Sequence, residues 1–193
     1  MQNFVREGLT MTLESAFSWI EILIVLSITS IFSLLTFPRL HEWLTYFEAR
    51  QVQSQYMDAI RLAQQQAQVL NMPVGICGSR DQHSCTKDWS VGYLIFVDKM
   101  DDTNANHIDY RINAFSLPLK FGKLHVRSFP VYRDYLSLRP ASLFPGDNAT
   151  LWYCGNNSSR VVFAIRLNQF GQVHVDNLYP AGIKKYPNQS LPC

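Results

Sequence analysis

Residues 17–38 read FSWIEILIVLSITSIFSLLTFP, and the rest of the chain takes its meaning from this stretch. From Trp19 to Phe37 the single ionisable residue is Glu21. Phe17 to Phe37 is 21 residues, and at about 1.5 Å rise per residue such a helix is roughly 31 Å long, matching a hydrocarbon core of about 30 Å. A cleavable secretory signal has a shorter apolar region followed by a small-residue cleavage site. No such site follows Phe37, so the apolar run is expected to stay in the mature protein as a membrane span. An acidic residue costs on the order of 2.5–3.5 kcal/mol at the centre of a span and less near the interface, which marks Glu21 as functional.

Beyond Pro38 the chain turns amphipathic. Leu40, Trp43, Leu44, Phe47, Val52, Tyr56, Ile60, Ala63, Ala67 and Leu70 recur at helical spacing between charged and amide residues. The pattern predicts one long helix over residues 17–71, kinked at Pro38 and ended by Asn71 and Pro73. From Val74 onward short β-branched and aromatic segments alternate with Gly, Pro, Asn and Asp. The predicted strands are Val74–Cys77, Val91–Val97, Ile108–Ile112, Lys123–Phe129, Val131–Leu138, Leu151–Cys154, Val161–Leu167 and Gln172–Val175. Both faces of Val91–Val97 are apolar apart from Gly92, so that strand is expected to be covered on both sides.

With 193 residues, 47% of them hydrophobic, the chain has material for one globular domain besides the helix. The formal net charge of +2 is unevenly spread: residues 17–109 hold 6 Lys/Arg against 10 Asp/Glu, and residues 110–193 hold 10 against 3. Four cysteines (Cys77, Cys85, Cys154 and Cys193) contain no Cys-x-x-Cys pair, a pattern that favours two disulfides in an oxidising compartment. The five histidines have no ligand spacing, and there is no nucleophile elbow, His-Glu-x-x-His or phosphate-binding loop. Neither catalysis nor a metal nor any other cofactor is expected. Asp98, Asp101, Asp102, Asn104 and Asn106 form a carboxylate-rich loop that lacks the glycine and terminal glutamate of a calcium loop, so a solvated turn is expected there.

Phe17, Glu21 four residues later and Pro38 twenty-one residues later make the chain resemble the type IV pilins and type II secretion pseudopilins. The head narrows the resemblance. Met72-Pro73-Val74-Gly75-Ile76-Cys77, then Cys85 and Asp88-Trp89-Ser90-Val91-Gly92-Tyr93-Leu94-Ile95-Phe96-Val97-Asp98, then Phe144-Pro145-Gly146, Asn148 to Cys154 and the hairpin Asn168 to Val175 are similar to the GspH/FimT group of minor pilins. The resemblance implies an α+β fold: a long N-terminal helix packed on a head of two antiparallel sheets. It divides the chain into a prepilin leader (1–16), a transmembrane half-helix (17–38), an amphipathic half-helix (39–71) and a disulfide-stapled head (72–193).

The same resemblance implies cleavage by a prepilin peptidase between Ala16 and Phe17, methylation of the new amine, and assembly with other pilins or pseudopilins through Glu21 and Pro38 at an inner-membrane platform. Ala16 stands where the family usually has Gly, and Glu14 where it has Lys or Arg. Translation from Met11, or a cut after Gly8, are the alternatives. A Cys77–Cys85 bridge is implied by the family's cysteine pair, which leaves Cys154 for Cys193. Within the class, a type IV pilus minor pilin is the first reading and a type II secretion pseudopilin the second. From a different class, the head is a binding module on a plain membrane anchor. Some relatives that bind DNA carry Gly-Arg-x-Arg in the last hairpin, where this chain has Gly171-Gln172-Val173-His174. Weak DNA contact is therefore expected only through Arg160, Arg166, Gln172, His174, Lys184 and Lys185, by phosphate attraction.

Mass spectrometry of the mature protein should find Phe17 at the N-terminus, because only that cut gives Glu21 and Pro38 their pilin spacing. A mature chain starting at Leu9, or an uncut chain in cells with active prepilin peptidase, contradicts this.

Overall fold

The computed structural model describes residues 18–98, 108, 110–131, 133–143, 145–156, 161–177 and 191–193, without the side chains of 34–39. One helix, α1, runs from Trp19 to Leu70 and is followed by eight strands: β1 (Val74–Gly78), β2 (Gly92–Val97), β3 (Tyr110–Ser116), β4 (Gly122–Phe129), β5 (Leu136–Leu138), β6 (Asn148–Gly155), β7 (Val161–Leu167) and β8 (Val173–Asn177). Two compact units divide the chain, Met1–Leu40 and His41–Cys193.

In the first unit the described side chains of α1 are mostly apolar and exposed, with Glu21 and four hydroxyl residues among them. Trp19, Ile20, Leu23, Val25, Ile31 and Phe32 are all more than half exposed. Its hydroxyls do not interrupt that surface, since Ser27, Thr29, Ser30 and Ser33 each donate to a carbonyl three or four residues back. Among the described residues no helix is long and apolar enough to cross a membrane. The stretch 17–37 extends past those residues at Phe17 and at side chains 34–37.

The second unit is a helix laid across two four-stranded antiparallel sheets, ordered β3-β2-β1-β5 and β4-β6-β7-β8. The helix contributes Ala49, Val52, Tyr56, Ala59, Ile60, Ala63 and Ala67 to one core with Val74, Ile76, Ile95 and Leu136 of the first sheet and Leu124, Leu151, Phe163 and Ile165 of the second. Four of these seven helix residues are alanines, so Val52, Tyr56 and Ile60 supply most of the bulk on that face. The helix stops where Asn71 takes a left-handed φ of 51°.

The amphipathic stripe read from the sequence needs one correction. Val52, Tyr56, Ile60, Ala63 and Ala67 are buried as expected, whereas Leu40 and Leu70 at the two ends of the stripe are exposed and, within it, so are Trp43 and Phe47. At 100° per residue these two lie opposite Ala49 and Val52 and face away from the core.

Each sheet also has a covered outer face. On the first, Cys77, Leu94, Phe96 and Tyr135 form a small cluster against Cys85 and Ile108, so β2 is buried along its whole length. The Phe96 ring lies where a side chain on the opposed Gly75 would be, 2.4 Å from an added Cβ, and glycine is therefore required there. On the second, Trp152, Cys154 and Ala164 meet Val161 and Leu191. Both disulfides serve these outer clusters: Cys77–Cys85 with Cα atoms 5.5 Å apart, and Cys154–Cys193 at 5.7 Å. The Trp152 indole donates to the Pro192 carbonyl at 2.9 Å beside the second bridge.

Glu48 ties the helix to the head. Its carboxylate accepts from the backbone N–H of Lys120 (2.7 Å) and Phe121 (3.0 Å) and from the Tyr153 hydroxyl (2.7 Å). Tyr153 reaches it by crossing Gly122, where an added Cβ would come within 2.2 Å of the ring. Ser90 joins the sheets by accepting from the Leu124 N–H at 3.0 Å.

β5 is shorter than the predicted Val131–Leu138 because Arg133 and Tyr135 are committed elsewhere. Arg133 turns in to Asp147, a buried pair at 3.4 Å, and the Tyr135 hydroxyl donates to Asp98 at 2.6 Å. Asp98, expected in a solvated turn, is thus a buried acceptor; the loop residues Asp101, Asp102, Asn104 and Asn106 lie outside the described residues. β3 starts at Tyr110 instead of Ile108. In β7 strict alternation would put Val161 on the core side with Phe163, Ile165 and Leu167, but a bulge sets two residues of β7 against one of β6 and moves Val161 to the outer face.

Gly122→Ala should lower the unfolding free energy by about 1–3 kcal/mol, since Tyr153 must leave its place against Glu48; chemical denaturation checks this. A second expectation concerns alkali. Burial pushes the phenols of Tyr56, Tyr93 and Tyr153 above their ordinary range, with hydrogen bonding to Glu48 adding to the effect at Tyr153. The folded state therefore holds protons that unfolded tyrosines release near pH 10, and stability should fall as pH rises above about 10. Difference spectra against Tyr56→Phe and Tyr153→Phe should show the phenolate absorbance of these two only together with loss of the fold, whereas phenolate formation by either of them in the folded head near pH 10 contradicts the burial.

Candidate functional site

Two places carry the residues singled out in the sequence, the start of α1 and the last hairpin. At the first, Ser18 caps the helix, its carbonyl accepting from the N–H of Glu21 (2.9 Å) and of Ile22 (3.3 Å). Glu21 falls in the first turn, where the helix dipole favours an anion. Its side chain is exposed amid exposed Ile20, Ile22 and Ile24, and among the described residues no cation lies within bonding distance of it. Ala16 and Phe17 lie outside the described residues, as does the side chain of Pro38, whose backbone continues α1.

In the last hairpin β7 and β8 place Arg166 directly opposite His174, so the two share one face. What the sequence reading missed is Asp176. Its nearly buried carboxylate forms an ion pair with Arg166, Oδ2 to Nε 3.2 Å, and lies 3.2 Å from His174 Nε2. The signal was available, since Asp176 follows His174 by two residues and must share its side of the strand. Gln172 is equally committed: the Asn168 amide donates to its side-chain oxygen at 2.8 Å, and its N–H returns to Asn168 at 2.9 Å. Gly171 supports this turn with a φ of 78° and accepts from the Gln64 amide. Arg160, Lys184 and Lys185 lie outside the described residues.

The loop closed by Cys77–Cys85 is organised by Asp81. Backbone bonds from His83 and Ser84 and the Ser84 hydroxyl hold its carboxyl below the usual carboxylate range. Its acceptors are used within the loop, and among the described residues no group of three or more His, Cys, Asp or Glu converges to hold a metal.

Comparison with known proteins bears on the whole arrangement. The sequence matches the family described as type II transport protein GspH over residues 53–171. Among solved structures, the crystal structure of the type IV minor pilin FimU from Pseudomonas aeruginosa is similar at 15% identity, covering 67% of this chain and 88% of that one with a TM-score of 0.50. A second crystal form of the same pilin, also at 15% identity, covers 67% and 90% with a TM-score of 0.45. At this identity the first likeness speaks for the fold alone. No curated protein matches in sequence. The matched residues begin on the buried face of α1 and end in the last turn, taking in more than half of the chain, and the chain belongs to the GspH family of pilin-like subunits.

Proposed function

We propose that the chain is a minor pilin of a type IV pilus, cut by prepilin peptidase between Ala16 and Phe17 and methylated at the new amine. Residues 17–38 hold it in the bacterial inner membrane with the head in the periplasm until it joins the fibre at the assembly platform. The observation that carries this reading is the single exposed carboxylate of Glu21 in an otherwise apolar helix start, on a chain of a pilin-like family. In the membrane Glu21 attracts the N-terminal ammonium of a neighbouring subunit. At a separation of about 4 Å in low dielectric that attraction offsets the desolvation of both groups.

A second reading, a minor pseudopilin of a type II secretion system, is favoured by the description of the matched family. The two separate by phenotype: deletion of the gene removes surface fibres in one case and stalls export of folded proteins in the other. The proposal does not extend to DNA uptake. Arg166 and His174 share the Asp176 carboxylate, and that local compensation weakens the attraction for phosphates on which a motif-free contact depends.

Glu21→Val should leave membrane insertion intact and reduce incorporation into sheared fibres by more than about tenfold, since breaking a desolvated pair costs about 3–5 kcal/mol. Equal recovery of mutant and wild type in the fibre fraction overturns the pairing mechanism.

A further inference from the structure

A cleft of about 230 Å³ opens on the head between the last two turns of α1, the end of β5 and the turn joining β7 to β8. It lies wholly within the second compact unit. Gln64 and Gln68, four residues apart and so on one side of α1, line it from the helix. The turn supplies Gln169 and Phe170. That turn is set by Asn168, whose side-chain oxygen accepts from the N–H of Phe170 (3.0 Å) and of Gln172 (2.9 Å). The Gly146 N–H holds it from the other side by donating to the Gln169 carbonyl at 2.9 Å. The walls are thus fixed before any ligand arrives, which lowers the ordering cost of binding.

Three carboxamides keep hydrogen-bonding capacity at this cleft. Gln64 donates through its side-chain nitrogen to the Gly171 carbonyl, which leaves its oxygen as an acceptor. Gln68 accepts from the Ala141 N–H through its oxygen at 3.4 Å, which leaves its NH₂ as a donor. The side-chain amide of Gln169 makes no hydrogen bond among the described residues and offers both. The charged side chains among the described lining residues are Arg139 and Asp147, one of each sign, so the cleft has no net charge that would select an ion.

We propose that this cleft binds one pyranose ring of a glycan. A sugar hydroxyl donates and accepts at once, and planar carboxamides that present an acceptor, a donor and one of each meet that demand. Phe170, 58% exposed, adds an aromatic surface for the C–H side of the ring, because the face of a π system is negative and those hydrogens are weakly positive. The volume is below the range of about 300–1,000 Å³ that drug-sized ligands occupy, which suits a single sugar unit. The inference stands apart from the membrane reading of residues 17–38 and from the kind of fibre the subunit joins.

The test uses the full chain in phospholipid nanodiscs, which avoid sugar-headed detergents. Saturation-transfer difference NMR is recorded with the methyl glycosides of glucose, galactose, mannose and N-acetylglucosamine. Ring protons of at least one glycoside should receive saturation, with a Kd of about 1 mM, the weak binding expected of about a dozen heavy atoms. Gln169→Ala removes an amide that the fold does not use and should weaken binding at least about fivefold, as should Phe170→Ala. Unchanged unfolding midpoints check that the variants fold, and if Phe170→Ala does not, Gln169→Ala decides alone. Absence of transfer to all four glycosides, or transfer undiminished by Gln169→Ala, overturns the proposal. Transfer to N-acetylglycine methylamide in place of the glycosides assigns the cleft to peptide backbone and overturns it equally.

Discussion

The burial of the alanine-lined face of α1 in one core with both sheets is the constraint on which the head depends. Ala49, Ala59, Ala63 and Ala67 are all buried on that face, with Val52, Tyr56 and Ile60 packed among them. A larger side chain at any of the four positions would force the sheets apart, because close-packed interiors have no spare volume. Glu48 fixes the helix along its axis as well. A single carboxylate satisfies two backbone donors at the entry to β4 and the hydroxyl of a residue on β6. Apolar contact alone would permit a helix to slide, whereas three directed bonds specify one setting.

Each sheet uses both of its faces, and this explains where the cysteines are. The inner faces meet the helix. The outer faces carry small clusters, around Phe96 and around Trp152, too small to hold a covering segment by burial alone. A disulfide at each fixes the segment that covers it. The arrangement leaves β3 and β5 as the edges of one sheet and β4 and β8 as the edges of the other. Part of the β4 edge is occupied by the Ser90 hydroxyl, which takes the bond that another strand would otherwise make at Leu124.

Much of this was legible in the sequence, because period and punctuation are local. The helix end at Asn71 and the doubly buried β2 follow from spacing and turn residues. What the sequence concealed depends on partners far along the chain. That Trp43 and Phe47 face away from the core is decided by the helix setting that Glu48 imposes, through contacts 72 to 105 residues distant. The shortening of β5 follows from Arg133 finding Asp147 and Tyr135 finding Asp98. Val161 changes face through a bulge that no composition rule signals. At the candidate site the place of Glu21 was plain from its isolation among apolar residues, while the compensation of Arg166 by Asp176 needed the strand pairing of β7 and β8.

The two bridges differ in span, closing 8 and 39 residues respectively. For a chain that emerges N-terminus first from a translocation channel, this sets an order of maturation. The Cys77–Cys85 loop has both thiols outside almost at once and seals while later strands are still arriving. Cys154 must wait for Cys193, and until then it is a lone thiol beside an unfinished sheet, open to mixed disulfides and to mispairing with a neighbouring molecule. If the head is periplasmic, as the proposed function has it, the late step depends on the oxidants and isomerases of that compartment far more than the early one does.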